Sequence, residues 1–424
     1  MSITGTMYRG LSGLNASGAS IQVTGDNIAN VNTVGHRASR AQFEDVLNRS
    51  IMGVGQLGGG VRMAKIEKMF HQGAIVDSPR SSDMAINGRG FFVLRGNHNG
   101  VDGSYYSRAG QFKLDDNGLL SNMQGLRVQG YSADANGVIS TQLGDLQLDQ
   151  NIPPNPTSEV TMEIAFDGNP QGALVPTGFT LGDPATTTFQ QELTIYDSMG
   201  TAHQVQMHFT RIDQTNWEWN MVGNGSEMDP QVAGQVVLDS GTVVFNTDGT
   251  LNTSTQVGTA MDFLGATANQ TVDFDFAGSG QSTRSTGANT PNQTDVIGIT
   301  NNGYSSGSFV DIGLEADGTI VGRYDNGRSL TIGRMALADF RSEDGLESVG
   351  GTMFTANFKS GDALIGFAGT GGRGMIRGNA LEQSNVDLSN EFVRMITDQR
   401  AYQATAKTIT TADELLVETV NLKR

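Results

Sequence analysis

Apolar residues recur in two different rhythms along this chain, and the change of rhythm marks its organisation. Near the start, Met7, Leu11, Leu14, Gly18, Ile21, Gly25 and Ile28 follow alternating steps of four and three. Near the end, Leu388, Phe392, Met395, Gln399, Tyr402, Ala406, Ile409, Asp413, Leu416 and Val420 do the same. That spacing puts these positions on one seam of a helix, the seam that packs against another helix. One reading makes them two core helices of a globular domain. The other makes the two ends pair, with each other and with neighbouring copies, to build a polymer.

The two segments differ in composition. Residues 2–25 hold one charge, Arg9, and five glycines, at 5, 10, 13, 18 and 25. Each interior glycine costs a helix about 1 kcal/mol against alanine, and most helical stability comes from packing. The first helix is therefore expected to be disordered in the free monomer and ordered by partners. From Asp387 onward there is neither glycine nor proline, and Ser384, Asn385 and Asp387 stand ready as caps. Some 34 helical residues would reach roughly 50 Å.

Between the ends the rhythm shortens to alternating runs broken by turns. Asn117-Gly118, Asn136-Gly137, Asp248-Gly249 and Asp317-Gly318 are hairpin signals, because both central residues of such a turn need positive φ. Leu114 to Leu120 and Leu314 to Val321 look alike and read as two hairpins of one β-domain. Strands are expected at Glu192 to Tyr196, Gln204 to Phe209 and Thr271 to Phe276. Eight of nine prolines lie between 153 and 291, and the Ile152-Pro153-Pro154-Asn155-Pro156 run is stiff and extended. Gly278 to Thr294 has no periodicity and reads as a flexible connection. The expected fold is mainly β with terminal α-helices: two nested β-domains plus a coiled-coil-like pair of N- and C-terminal helices. Residues 1–30 with 384–424 form the helical assembly domain, 31–72 a connecting region, 73–151 with 290–376 an inner β-domain, and 152–289 an inserted outer β-domain.

The chain has 424 residues, 27 basic against 44 acidic, and a net charge of −17. That balance argues against a nucleic-acid partner, which wants a basic face. With 17% charged residues and 56 glycines, the surface must be largely Ser, Thr, Asn, Gln and Gly. Cysteine is absent, so there is no disulfide and no thiolate site. The absence suits a chain that leaves the cell unfolded, with chance as the alternative. The N-terminus does not read as a signal peptide, and no apolar run approaches the about 18 residues of a membrane helix.

Chemical signals are weak. Gly53-x-Gly55-x-x-Gly58 and Gly369-x-Gly371-x-x-Gly374 match a dinucleotide pattern, but neither opens a helix inside a βαβ unit. Gly303-x-Ser305-x-Gly307 has no histidine after it, so the chain order of a serine hydrolase fails. His203 and His208, five apart on a strand, face opposite sides and are not expected to share a metal; His36, His71 and His98 complete the set. Carboxylates are plentiful, so inspection leaves a two-carboxylate glycosidase open. Trp217 and Trp219 share a strand face; core packing is the first reading and a sugar platform the second. No cofactor or metal site is expected.

Ala29-Asn30-Val31-Asn32-Thr33-Val34-Gly35 closely resembles the ANxNTxG signature of bacterial flagellar rod and hook proteins. Gly10-Leu11-Ser12-Gly13-Leu14, Asp26-Asn27-Ile28 and the aromatic at Phe43 also fit. So do Ser384 to Ser389, Gln399-Arg400-Ala401-Tyr402-Gln403 and Thr410-Thr411-Ala412-Asp413 at the other end. Ile86-Asn87-Gly88-Arg89-Gly90-Phe91-Phe92, Tyr106 to Phe112 and Gln129-Gly130-Tyr131 resemble the family's inner β-domain. His36 stands where the family usually has Tyr or Phe. The resemblance covers about residues 1–150 and 290–424.

It implies a structural subunit without catalysis, and two nested β-domains fit the hook itself. In the hook such a subunit polymerises into a flexible tube, a universal joint that transmits motor torque to the filament. The implied partners are copies of itself, a hook cap protein, a distal rod protein, a hook–filament junction protein and the flagellar type III export apparatus. The implied location is the extracellular flagellum, reached without leader cleavage or membrane insertion. Met7, Leu11, Leu14, Ile21, Ile28, Leu388, Phe392, Met395, Tyr402, Ile409, Leu416 and Val420 are the expected assembly residues. Ala29, Asn30, Asn32, Thr33 and Gly35 are the family motif, with Asn30, Asn32 and Gly35 shaping the turn after the first helix. Two other classes remain: another axial component, and a secreted glycan-binding or glycan-active protein.

Overall fold

A computed structural model describes residues 3–47, 58–134, 137–169, 173–282 and 294–421. Of the expectations above, Gly53 and Gly55 of the first glycine motif, Asn136, most of the connection 278–294 and the side chain of Val420 lie outside the described residues. The chain is mainly β, with helix α1 (Ile3–Ala29) at one end and helix α2 (Leu388–Asn421) at the other. It divides into two compact units.

The first unit comprises residues 1–149, 311–323 and 329–424. Here α1 and α2 lie side by side, and strands β1 (Ser39–Leu47) and β2 (Gly58–Lys68) form a two-stranded antiparallel ribbon. The β-core of this unit is built across long sequence distances. Arg127–Ala133 pairs with Phe91–His98 and with Ser329–Asp339, and Met84–Asn87 pairs with Met375–Gly378. Phe91, Val93, Tyr106, Ala336, Ala338, Phe340 and Phe354 make one buried cluster. Its rings meet edge-on, at 4.8 Å for Tyr106–Phe340, the arrangement that aromatic quadrupoles prefer.

The similar segments at 114 and 314 close the same turn. Asp115 N–H donates to Leu119 O, and Glu315 N–H donates to Thr319 O. Gly118 and Gly318 both take positive φ while Asn117 and Asp317 do not, so these turns differ from the expected ones with two positive-φ residues.

The second unit is residues 150–310 with 324–328. Five strands run as an antiparallel meander: Phe189–Tyr196, Ala202–Arg211, Asn216–Asn224, Gln235–Phe245 and Leu251–Gln256. A second sheet is centred on Glu159–Asp167, where every second residue is buried. Val160, Met162, Ile164 and Phe166 from that face join Ile195, Met207, Phe209, Trp217 and Trp219 in one core. The expected strand 271–276 shortens to Asp273–Asp275. This unit also extends past the expected boundary at 289, because Asp295–Asn301 pairs antiparallel with Glu159–Asp167. The flexible reading of the stretch before it hid that strand.

Candidate assembly surface

The two terminal helices are antiparallel, and their contacts repeat every seven residues. Asn27 Nδ2 donates to Glu391 Oε2 at 3.2 Å, and Ser20 Oγ donates to Asp398 Oδ2 at 2.6 Å. Gly13 faces Thr405, and Gly10 faces Ile409 so closely that a Cβ would lie 2.8 Å from Ile409 Cγ1. Small residues let two helices approach, and here they also fix the register. The α1 positions that touch α2 include Gly10, Gly13, Ser20 and Asn27, one residue before Leu11, Leu14, Ile21 and Ile28 of the stripe read from the sequence, while Gly18 of the stripe itself faces Tyr402. Offset by one residue, about 100° round the helix, the stripe flanks the seam. Leu11 is 47% exposed, and Met7, Leu14, Ile21 and Ile28 are half-buried.

On α2 the seam runs through Glu391, Asp398, Tyr402, Thr405 and Ile409. Met395 and Leu416 are half-buried in the same column. Leu388 and Phe392 stand outside it and are exposed, as are Val393, Ile396, Leu415 and Val417. The ribbon adds exposed Phe43, Leu47, Met63 and Ile66. A two-stranded ribbon is marginal on its own. Exposed apolar residues on both helices and the ribbon make this the candidate surface.

The family motif forms the root of the pair. Asn30 Nδ2 donates to Asp26 O at 2.9 Å, and Thr33 Oγ1 donates to Asn30 Oδ1. Gly35 takes φ +68°, and a Cβ there would meet Ala109 N at 2.5 Å. Ala29 and Asn32 are exposed, and Asn32 makes no side-chain hydrogen bond among the described residues. Asn27 ties α1 to the ribbon through Ser39, accepting from its N–H and donating to its carbonyl. Asn385 accepts from Ala38 N–H and donates to Met69 O and His71 O.

Beneath this root lies an ion cluster that no sequence spacing announced. Arg37 Nη1 stands 2.8 Å from Glu382 Oε1, and Arg108 Nη1 stands 3.4 Å from Glu382 Oε2, with all three side chains buried. Burial, then repulsion from Arg37, pushes the Arg108 guanidinium down to about 10, with Glu382 opposing. Arg108 thus stays charged at neutral pH. Burial and the nearby Lys68 also lower His36.

Among the described residues, the tryptophans, glycine motifs and histidines weighed for other chemistry take other roles. Trp217 and Trp219 are 1% and 0% exposed, which removes the sugar platform. Gly369 to Gly374 is a turn between two strands, and Gly303 to Gly307 leads into a strand. His203 holds Glu227 and Asp197 at 2.6 and 3.2 Å, while His208 holds Thr187. No group of metal-ligating side chains occurs among the described residues. No described helix is long and apolar enough to cross a membrane.

Paired terminal helices around β-units inserted one within the other define an axial flagellar architecture. Family models match along the chain: "Flagella basal body rod protein" at 7–37 and "Flagellar hook protein FlgE/F/G D1 domain" at 85–169. "Flagellar basal body protein FlaE D2 domain" follows at 165–304, and "Flagellar basal body rod FlgEFG protein C-terminal" at 377–422. The flagellar hook protein FlgE of Escherichia coli is 35% identical over 420 residues, spanning 97% of this chain and 98% of the relative. That of Borreliella burgdorferi is 32% identical over 443 residues, spanning 99% of each. The crystal structure of Helicobacter pylori flagellar hook protein FlgE2 shares the fold, with a TM-score of 0.51 at 15% identity over 73% of this chain and 100% of that one. The chain belongs to the flagellar hook protein family.

Proposed function

We propose that this chain is the subunit of a flexible hook tube and that its terminal helices are the polymerising element. One observation carries the reading: α1 meets α2 through the small and polar residues Gly10, Gly13, Ser20 and Asn27, while Leu11, Leu388, Phe392, Val393 and Ile396 beside the seam stay exposed. A helix pair with so little apolar burial of its own is stabilised by neighbours. The apolar flanks of α1 and α2 then pack copy against copy into a tube. The β-units carry polar, glycine-rich surfaces, and wet polar contacts yield to sliding more readily than a dry core. A tube stiff along its helices and yielding between its β-units bends while it carries torque.

The proposal extends to the setting. The chain is exported through the flagellar type III apparatus without leader cleavage. It assembles outside the cell under a hook cap, between a distal rod protein and a hook–filament junction protein. A cysteine-free chain threads a narrow channel without oxidative trapping. The chain performs no catalysis.

The test is assembly. Leu14→Asp places a charge in the apolar flank of α1 and Leu416→Asp one in the α2 seam column, and each should abolish polymerisation while leaving the β-units folded. Electron microscopy of the concentrated protein reads the result. Normal tubes from either variant would refute the proposal, and straight tubes from the unmodified chain would favour a rod component over a hook.

A further inference from the structure

Phe358 is fully exposed, and the turn that carries it is held rigid. Asn357 N–H donates to Ser360 Oγ at 2.9 Å, and Ser360 Oγ donates back to Asn357 O at 2.9 Å. Asn357 Oδ1 accepts from the N–H groups of Lys359 and Ser360, at 2.8 and 3.2 Å. Ser360 is 0% exposed, and Gly361 turns the chain at φ +74°. Single exposed apolar residues are common. A phenylalanine held clear of all neighbours on a hydrogen-bonded pedestal differs from them, because it loses little entropy on docking.

The second unit carries a hollow of matching chemistry. About 430 Å³ is lined by Phe179, Leu181, Asp183, Phe189 and His208, with Thr and Gln residues completing the wall. That volume falls among pockets that hold small ligands and admits an aromatic ring. The Phe179 and His208 rings lie 5.1 Å apart, and burial lowers the pKa of His208, so it presents a neutral face at pH 7. Asp183 stands exposed on the rim, with one carboxylate oxygen on Ala185 N–H. Lys359 is the residue beside Phe358, so an aromatic-plus-cation tip meets an aromatic-plus-anion socket.

The geometry points to a knob-in-socket contact between copies: Phe358 of one copy enters the hollow at Phe179, Leu181 and Phe189 of the next, with Lys359 against Asp183. This inference rests on the polymer reading above. Knob and socket are different surfaces of the same chain, so the contact is heterologous and propagates rather than closing on itself. It adds a lateral anchor that the terminal helices do not supply.

The absence of cysteine allows a test free of background. Tubes of Phe358→Cys/Leu181→Cys, oxidised and run without reductant, should give a ladder of multimers, while each single variant should give no ladder. Phe358→Asp should raise the critical concentration for tube formation about tenfold or more, and Lys359→Glu should be partly rescued by Asp183→Lys. Tubes of the double-cysteine chain without a ladder, or Phe358→Asp assembling like the unmodified chain, would overturn the socket and leave the helix-driven polymer standing. An unmodified chain that forms no tubes would overturn both.

Discussion

Glu382 answers to two guanidinium groups at once, and this makes it the most sensitive single residue in the unit that holds both termini. Arg37, Arg108 and Glu382 are buried together, and Arg37 Nε and Nη2 find no hydrogen-bond partner among the described residues. Removing one partner of such a cluster costs about 3–5 kcal/mol, because it leaves uncompensated charge behind. Glu382→Ala should therefore lower that unit's stability by about this amount, read from the urea midpoint by far-ultraviolet circular dichroism. A change under about 1 kcal/mol would contradict the cluster's role. Proton linkage gives a second expectation. Burial, joined at His36 by Lys68, lowers His36 and His208 from 6.5. The unfolded chain then takes up protons first, so stability falls as pH drops below about 6.5. A second loss follows below 3.8. At Asp197 burial pushes the carboxyl up, but Thr201 N–H, the His203 ring and Met199 N–H outweigh it; hydrogen bonds likewise hold Asp213 and Asp317 down. Carboxyls lowered in the folded state lose their contribution as pH falls through that range. Urea midpoints across the acid limb should show both stages, and His36→Gln/His208→Gln should flatten the first. Of the carboxylates among these residues the sequence marked only the turn-forming Asp317, within its Asp-Gly signal. Arg37 and Glu382 meet across 345 positions, beyond the reach of any local pattern.

At the scale of elements, both helices were legible from the 4-3 rhythm, and the partner-facing side of α1 was not. Apolar periodicity identifies the stripe that wants burial, but which neighbour buries it depends on packing. Here Gly10 and Gly13 let α2 approach one residue over from that stripe. The glycines that count against helix propensity are thus the ones that shape the pair. Gly25 differs, with no heavy atom within 4 Å of an added Cβ. Gly25→Ala should gain up to about 1 kcal/mol of helix stability. Gly10→Ala should forfeit that gain, because its Cβ presses on Ile409. Comparing the melting of the terminal helices in assembled tubes decides the matter, and equal gains from the two substitutions would show that the helices are not in this register. The strands followed the same logic. Strands at 192–196 and 204–209 and the hairpin turns were plain, whereas Glu159–Asp167 was not singled out and Asp295–Asn301 was missed because its partner lies more than a hundred residues earlier.

At the scale of the whole molecule, insertion of one unit within another has a thermodynamic consequence. The second unit's core is complete within its own stretch of chain, from Val160 to Phe276 with Val296 and Ile299 packed against it. A unit that closes its own core folds alone. Proline placement had marked where this stretch begins, and the same prolines and glycine-rich turns obscured where it ends. Both tryptophans of the protein, Trp217 and Trp219, lie in that core, so their fluorescence reports this unit and nothing else. A fragment spanning residues 150–310 should therefore unfold cooperatively, with a fluorescence transition close to that of the full chain, and should form no tubes at any concentration. Deleting residues 1–30 and 385–424 from the full chain should leave the same transition in place while abolishing assembly. Were the fragment to show exposed tryptophan emission, the second unit would depend on the rest of the chain. Were the deletion variant to polymerise normally, the β-units rather than the terminal helices would hold the tube together.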